Sequence, residues 1–236
     1  MLFYRDIQLL GLSAIKSGNF KFLMRQIHGF IATQCLDINH EENVNINIYK
    51  SENRLSRLGV YFPHWSKYSC GDTIRLVGQS NDLKKLENEK WIMNGLAAEV
   101  IHFSPETPLQ FNEKESNKAV CFKRTRMHER LSDATVQRKL RRFEKRLKDS
   151  AATSKPTAEN YREFLVNKKM AQINSDIVHG IETKPSNQKD QNDKKRSRNI
   201  VLYVQSLAVN EFINEQTRWN SYGLAKENSL QGISLQ

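Results

Sequence analysis

The sequence predicts an α+β protein: an N-terminal ferredoxin-like (RRM-like) domain, then a C-terminal domain with an arginine-rich helix and a small sheet. Three observations carry that expectation. Periodicities in residues 1–104 run strand, helix, strand, strand, helix, strand, which is the split βαβ order. Pro105 and Pro108 then interrupt the pattern and set a border, giving domains of 1–108 and 109–236. Beyond the border, residues 118–148 hold twelve Lys or Arg against three Asp or Glu, a net +9 in a chain whose total is +11.

In chain order, residues 3–10 form the first strand, and Gly11 closes it. Residues 20–35 form a helix, because Leu23, Ile27, Phe30 and Ile31 recur at helical spacing. Residues 44–49 alternate, with Val44, Ile46 and Ile48 on one face, as a half-buried strand does. An irregular connection over 50–71 carries Arg54, Arg57 and an aromatic cluster from Tyr61 to Trp65. Residues 73–78 are the third strand. Ser80 then caps a helix over 82–91 with Leu83, Leu86 and Trp91 inward, and residues 98–103 are the fourth strand.

In the second half, Ser132 and Asp133 cap a helix over 134–148. Val136, Leu140, Phe143 and Leu147 make one apolar stripe on it, and Arg138, Arg141, Arg142, Lys145 and Arg146 cover the remaining surface. Just before it, Arg124 and Arg126 stand two residues apart in an extended segment and so point the same way. Thr157 caps a further helix to about 173. Residues 184–199 are polar and charged, and are expected to be mobile. Residues 200–207 form a strand, and residues 212–219 hold another.

Composition narrows the function classes. No apolar run approaches the roughly 18–20 residues that span a bilayer, and the mean hydropathy is −0.67, so no membrane association is expected. The N-terminus has no signal-peptide pattern. Cys35, Cys70 and Cys121 lie far apart without a CxxC pair, which fits thiols in a reducing cytoplasm and not disulfides or a zinc site. No metal or other cofactor is expected. The charge excess points to a polyanion, and nucleic acid is the obvious one. The rivals are a solvated charged helix, disfavoured because such faces usually mix signs, and a membrane-surface helix, disfavoured because the stripe lacks Trp. The ferredoxin-like half leans the choice toward RNA.

The six histidines are scattered, with no HxH or HExxH pattern. His28 differs from the others in lying beside the apolar stripe of the first helix, with Met24 at i−4 and Ala32 at i+4. On its own that describes a satisfied histidine at a core edge. An RNA substrate adds a second role. Ribose carries its own nucleophile, the 2′-hydroxyl, so one histidine to remove its proton and one hydroxyl side chain to align the reactants suffice.

Several segments then match a known family in order and spacing: FYRDIQL, FLMRQIHGFIATQ around His28, SENRLSRLGVYFP, SNDLKKLENEKWIMNGL, FKRTR followed by SDATVQRKLRRFEKR, NIVLYVQ, and SYGLAK near the end. Over most of its length the chain resembles the CRISPR repeat-processing endoribonucleases of type I-F systems. The resemblance implies a prokaryotic, cytoplasmic enzyme that binds the repeat hairpin of precursor CRISPR RNA. It would cut below the stem without a metal, leave 2′,3′-cyclic phosphate and 5′-hydroxyl ends, and stay on the guide RNA among the type I-F Cascade subunits, in defence or in transposon-guided insertion. It implies His28 as general base, Tyr222 as its positioning partner and Ser186 (or Thr183 or Ser197) as the hydroxyl that holds the ribose. By the same resemblance Arg138, Arg141, Arg142, Lys145 and Arg146 contact phosphates in the major groove, and Arg124 and Arg126 read bases at the foot of the stem. Two alternatives stand beside this: a non-catalytic hairpin-binding subunit of the same complex, and a general RNA-binding structural protein. The family's aromatic residue at the start of the late strand is replaced here by Ile200, and residues 189–196 lengthen the loop before it.

Overall fold

Alternating burial along the first strand decides the architecture of the N-terminal half. In β1 (Phe3–Leu9), Arg5, Ile7 and Leu9 are buried and their neighbours are half-buried, so one face of the strand is committed to a core. The computed structural model of the chain describes residues 1–11, 17–38, 54–110, 119–125, 133–148, 158–175, 178–183, 200–226 and 230–234. They form two compact units, Met1–Arg124 with His179–Gln236, and Thr125–Val178. The expected border at residue 108 lies inside the first unit.

In the first unit, β1 pairs antiparallel with β5 (Thr73–Gly78) on one side and with β6 (Ile101–Phe103) on the other, and β4 (Gly59–Tyr61) pairs with β5. The sheet order is therefore β4-β5-β1-β6, the ferredoxin-like order, with β7 (Thr107–Pro108) pairing the start of β1. The connection from β1 to β4 runs through α1 (Ser17–Gln34), which buries Leu23, Met24, Ile27, Phe30 and Ile31. The expected strand over 44–49 lies outside the described residues. The sheet's second strand is β4, three residues buried throughout.

The second connection is not the single helix expected over 82–91. It is α2 (Ser80–Lys84), a 3-10 turn (Lys85–Asn88) and α3 (Lys90–Ala97), broken at Glu89, whose backbone is extended (φ −75°, ψ 122°). Gln79, not Ser80, stands at the N-cap. The break has a packing reason. At 3.6 residues per turn an unbroken helix would carry Ile92 about 180° around from Leu83, yet Leu83, Leu86 and Ile92 are all buried in one core. Glu99, with φ 52°, then turns the chain, so β6 begins at Ile101 and not at 98.

Two small sheets complete the unit. β8 (Ala119–Arg124), β10 (Ile200–Val209) and β9 (Val178–Thr183) form one, in the order β8-β10-β9. β2 (Leu36–Ile38), β3 (Arg54–Ser56) and β11 (Trp219–Asn220) form the other, with β3 central. The strand expected within 212–219 shrinks to β11. Asn214 and Thr217 turn the chain instead: Asn214 N–H donates to Thr217 Oγ1 at 2.8 Å, and Thr217 N–H donates to the Asn214 carbonyl at 3.0 Å. Trp219 is buried, donates to Tyr61 Oη at 3.1 Å, and lies so close to Gly59 that a Cβ there would be 2.4 Å from its ring. The small sheet expected beside the arginine-rich helix thus falls in the first unit, and that helix in the second.

The second unit holds α4 (Asp133–Lys148) and α5 (Ala158–Ser175). Val136 and Leu140 of α4 bury against Leu165, with Tyr161 at the edge, and Phe143 stacks on Tyr161 with centroids 4.5 Å apart. Val136, Leu140 and Phe143 of the predicted apolar stripe therefore lie on the packed face, and the Leu147 side chain is outside the described residues.

Candidate active site and nucleic-acid surface

The strongest constellation is built by three elements of the first unit. α1 carries His28 on its inner face, next in the burial pattern to Ile27 and Ile31, and the imidazole is 4% exposed. Its ring meets that of Tyr222 in a T-shaped pair, with centroids 5.5 Å apart and planes at 75°. β8 ends at Arg124, whose guanidinium carbon lies 5.5 Å from the centre of the Tyr222 ring, a cation–π contact on the other partner of the pair.

Tyr222 is presented by a tight turn over residues 220–224. Asn220 Oδ1 accepts the Tyr222 N–H at 2.9 Å and the Leu224 N–H at 3.1 Å, and the Asn220 carbonyl accepts the Gly223 N–H at 2.8 Å. This is the side-chain mimicry of a backbone turn at which asparagine excels. Gly223 has φ +76°, and a Cβ there would stand 2.6 Å from Val60 Cγ2 and 3.1 Å from Ile31 Cδ1, so both conformation and space demand glycine. Its carbonyl accepts Val60 N–H at 2.7 Å, which fixes the turn to β4, and Ala225 N–H donates to the Phe122 carbonyl at 2.8 Å, which fixes it to β8. Nothing in the sequence reading singled out Asn220. The Asn-x-x-Gly spacing of NSYG is the local signal that marks it.

Burial holds His28 well below the ordinary imidazole value, at about 4, against the opposing effect of a hydrogen bond to the Tyr222 backbone. At neutral pH the ring is uncharged and can accept a proton. Among the described residues no group of His, Cys, Asp and Glu is arranged to hold a metal ion, and none of Cys35, Cys70 and Cys121 is in a disulfide, with Cys35 and Cys121 buried. No described helix is long and apolar enough to cross a membrane.

The structure thus brings together three of the expected site residues: His28, Tyr222 and Arg124. Arg138, Arg141, Arg142 and Lys145 are exposed along α4 in the second unit. Arg146 belongs to α4 and Thr183 ends β9, but their side chains, like Ser186, Ser197 and Arg126, are outside the described residues.

Compared with curated proteins, the chain matches none. The family model described as CRISPR-associated protein (Cas_Csy4) matches residues 4–230, nearly the whole chain and both units. A histidine, a tyrosine-glycine turn and an arginine-rich helix, set on an α+β frame and spanned by one family match, lead to a single conclusion: the chain belongs to the Csy4 family of CRISPR-associated endoribonucleases, proteins of CRISPR RNA processing.

Proposed function

We propose that the protein binds one CRISPR repeat hairpin and cuts the precursor RNA below its stem, with His28 as general base. The observation that carries this is the convergence of His28, Tyr222 and Arg124 from α1, the 220–224 turn and β8. The ribose 2′-oxygen attacks the adjacent phosphorus and its proton passes to the imidazole. The phosphorus–O5′ bond breaks, the leaving oxygen takes up a proton, and the ends are a 2′,3′-cyclic phosphate and a 5′-hydroxyl. Because the nucleophile is intramolecular, the step calls for orientation and proton transfer more than for a Lewis acid. Tyr222 keeps the imidazole in one orientation, and Ser186, or Thr183 or Ser197 in its place, holds the ribose. A phosphate beside His28 raises its proton affinity from the low value that burial sets, toward the range where a general base works best.

In this reading Arg138, Arg141, Arg142, Lys145 and Arg146 track the phosphates of the stem, and Arg124 and Arg126 contact bases at its foot. The cut repeat stays bound, and the protein remains on the guide RNA as a subunit of a type I-F Cascade assembly.

One observation favours a second reading. His28 is almost wholly buried, as a structural histidine is, and the protein would then be a binding-only hairpin cap. Incubation with the cognate repeat RNA in EDTA separates the two. Discrete cleavage that His28→Ala abolishes, with hairpin binding retained, supports the enzyme. Tight binding without a cut supports the cap. Equal affinity for a hairpin and for random RNA overturns both.

A further inference from the structure

The connection from β4 to β5 carries side chains that the catalytic reading leaves unused. Its backbone is pinned by its own hydrogen bonds. Ser66 N–H donates to the Ser69 carbonyl at 3.0 Å, and Ser66 Oγ accepts from Tyr68 N–H and Ser69 N–H, both at 3.2 Å. Ser69 Oγ accepts from Gly71 N–H at 3.2 Å. Gly71 has φ +86° and passes so close to His64 that a Cβ there would lie 2.6 Å from the His64 Cβ. β9 braces the turn as well: His179 Nε2 lies 2.7 Å from the Ser66 carbonyl, and the His179 ring meets Trp65 with centroids 4.4 Å apart. Trp65 in turn packs on Phe62 and Phe122 at 5.8 and 5.1 Å.

On this fixed base the turn holds Tyr68 out to solvent, 82% exposed. Lys67 Nζ stands 4.8 Å from the centre of the Tyr68 ring. His64 is also largely exposed, and Asp72 Oδ1, 2.6 Å from its Nδ1, sets the ring so that Nε2 faces away from the carboxylate. An aromatic face, an ammonium and an oriented imidazole therefore stand within five consecutive residues, on a backbone whose ordering cost is already met by folding. Aromatic faces hold unpaired bases by stacking, and adjacent cations take the neighbouring phosphates. The cation set over the Tyr68 ring is a lysine, a residue depleted at protein-interface cores.

We propose that this turn, centred on Tyr68 with Lys67 and His64, is a stacking platform for an unpaired nucleotide of the RNA, separate from the contacts to the paired stem. It rests on the reading of the protein as a binder of repeat RNA. The test uses the full chain and two RNAs: the bare repeat hairpin, and the same hairpin with unpaired extensions of about eight nucleotides carrying 5-iodouridine. Tyr68→Ala weakens binding of the extended RNA about tenfold and leaves the bare hairpin unchanged, while Tyr68→Phe keeps wild-type affinity for both. Lys67→Ala shallows the log–log salt slope on the extended RNA by about 0.7. Photocrosslinks from the extensions map to Tyr68. The proposal is overturned if Tyr68→Ala binds the extended RNA like wild type, if it weakens both RNAs equally, if the crosslinks fall only elsewhere, or if its defect is in association with a protein subunit while RNA binding is intact. A wild-type protein with no preference for a hairpin sinks the functional reading on its own, because the Tyr68→Ala comparison can still be made on unpaired RNA alone.

Discussion

The His28–Tyr222 corner and the α4–α5 pair solve opposite problems. The first is assembled from residues far apart in the chain, is nearly water-free at His28, and is held by a turn with four internal hydrogen bonds and two ties to neighbouring strands. Among its described residues the second buries Val136, Leu140 and Leu165, and leaves Arg138, Arg141, Arg142 and Lys145 in solvent. Proton transfer needs a fixed geometry and a tuned proton affinity, which only a packed interior supplies. Holding a polyanion needs accessible charge, which a thin scaffold can present. Mutations in the two regions should therefore damage different measurements.

The largest expected effect is at His28. His28→Ala should lower single-turnover cleavage by at least about a hundredfold while the dissociation constant for the hairpin changes little; loss of binding in proportion would erase the division of labour. Next is Gly223→Ala, which forces a Cβ into a left-handed position already occupied by Val60 and Ile31. It should cost about 2–4 kcal/mol of stability in urea denaturation, and cleavage should fall with it because Tyr222 loses its perch.

A pH series probes the same corner. His28 is held at about 4 in the folded chain, below the ordinary 6.5. Below about pH 6.5 the unfolded chain binds a proton there that the folded chain does not, so stability falls as pH drops toward 4 and levels off beneath it. The loss approaches roughly 3 kcal/mol across that window, and His28→Gln should remove that part of the pH dependence. A parallel wild-type and variant pair of unfolding curves at pH 7 and pH 4.5 decides it.

In the second unit the expected effects are smaller and electrostatic. Arg142→Ala should shallow the log–log salt dependence of hairpin binding by about one unit with the saturated cleavage rate unchanged. An altered rate at saturating protein would mean that α4 does more than hold the stem. The smallest effect is a gain. Gly29 sits in α1 with its Cα facing open space, so Gly29→Ala should stabilise the protein by up to about 1 kcal/mol through helix propensity alone, as thermal unfolding would show.

Much of the frame was legible because its signals are local. α1 announces itself through helical spacing and α4 through charge, and the structure keeps both, like β1 and β5, within a few residues of their expected bounds. The misses share a cause, which is that distant neighbours decide them. β4 is three residues buried on both faces, with no alternation to read. The break at Glu89 exists so that Ile92 can reach a core that its own helix does not define. β9 was not expected at all: VHGIET contains Gly180, whose place in a strand makes sense only beside Val201, 3.1 Å from where its Cβ would be. At the site, His28 stood out by its place beside the apolar stripe of the first helix. Tyr222 came from the family resemblance, and Asn220 was overlooked because an asparagine that serves a turn and one that sits on a surface look alike in a sequence.

The ties of the 220–224 turn to Val60 and Phe122 bear on how the protein is made. The first unit is discontinuous, with Thr125–Val178 inserted between its two parts. Everything up to Arg124 emerges from the ribosome early, but β8, β10 and the turn can lock only after residue 225 has cleared the exit tunnel. Contacts of such long sequence separation form late. Until then a nascent chain has its His28 helix and no Tyr222 beside it, and the corner is assembled only once the 220–224 turn is out.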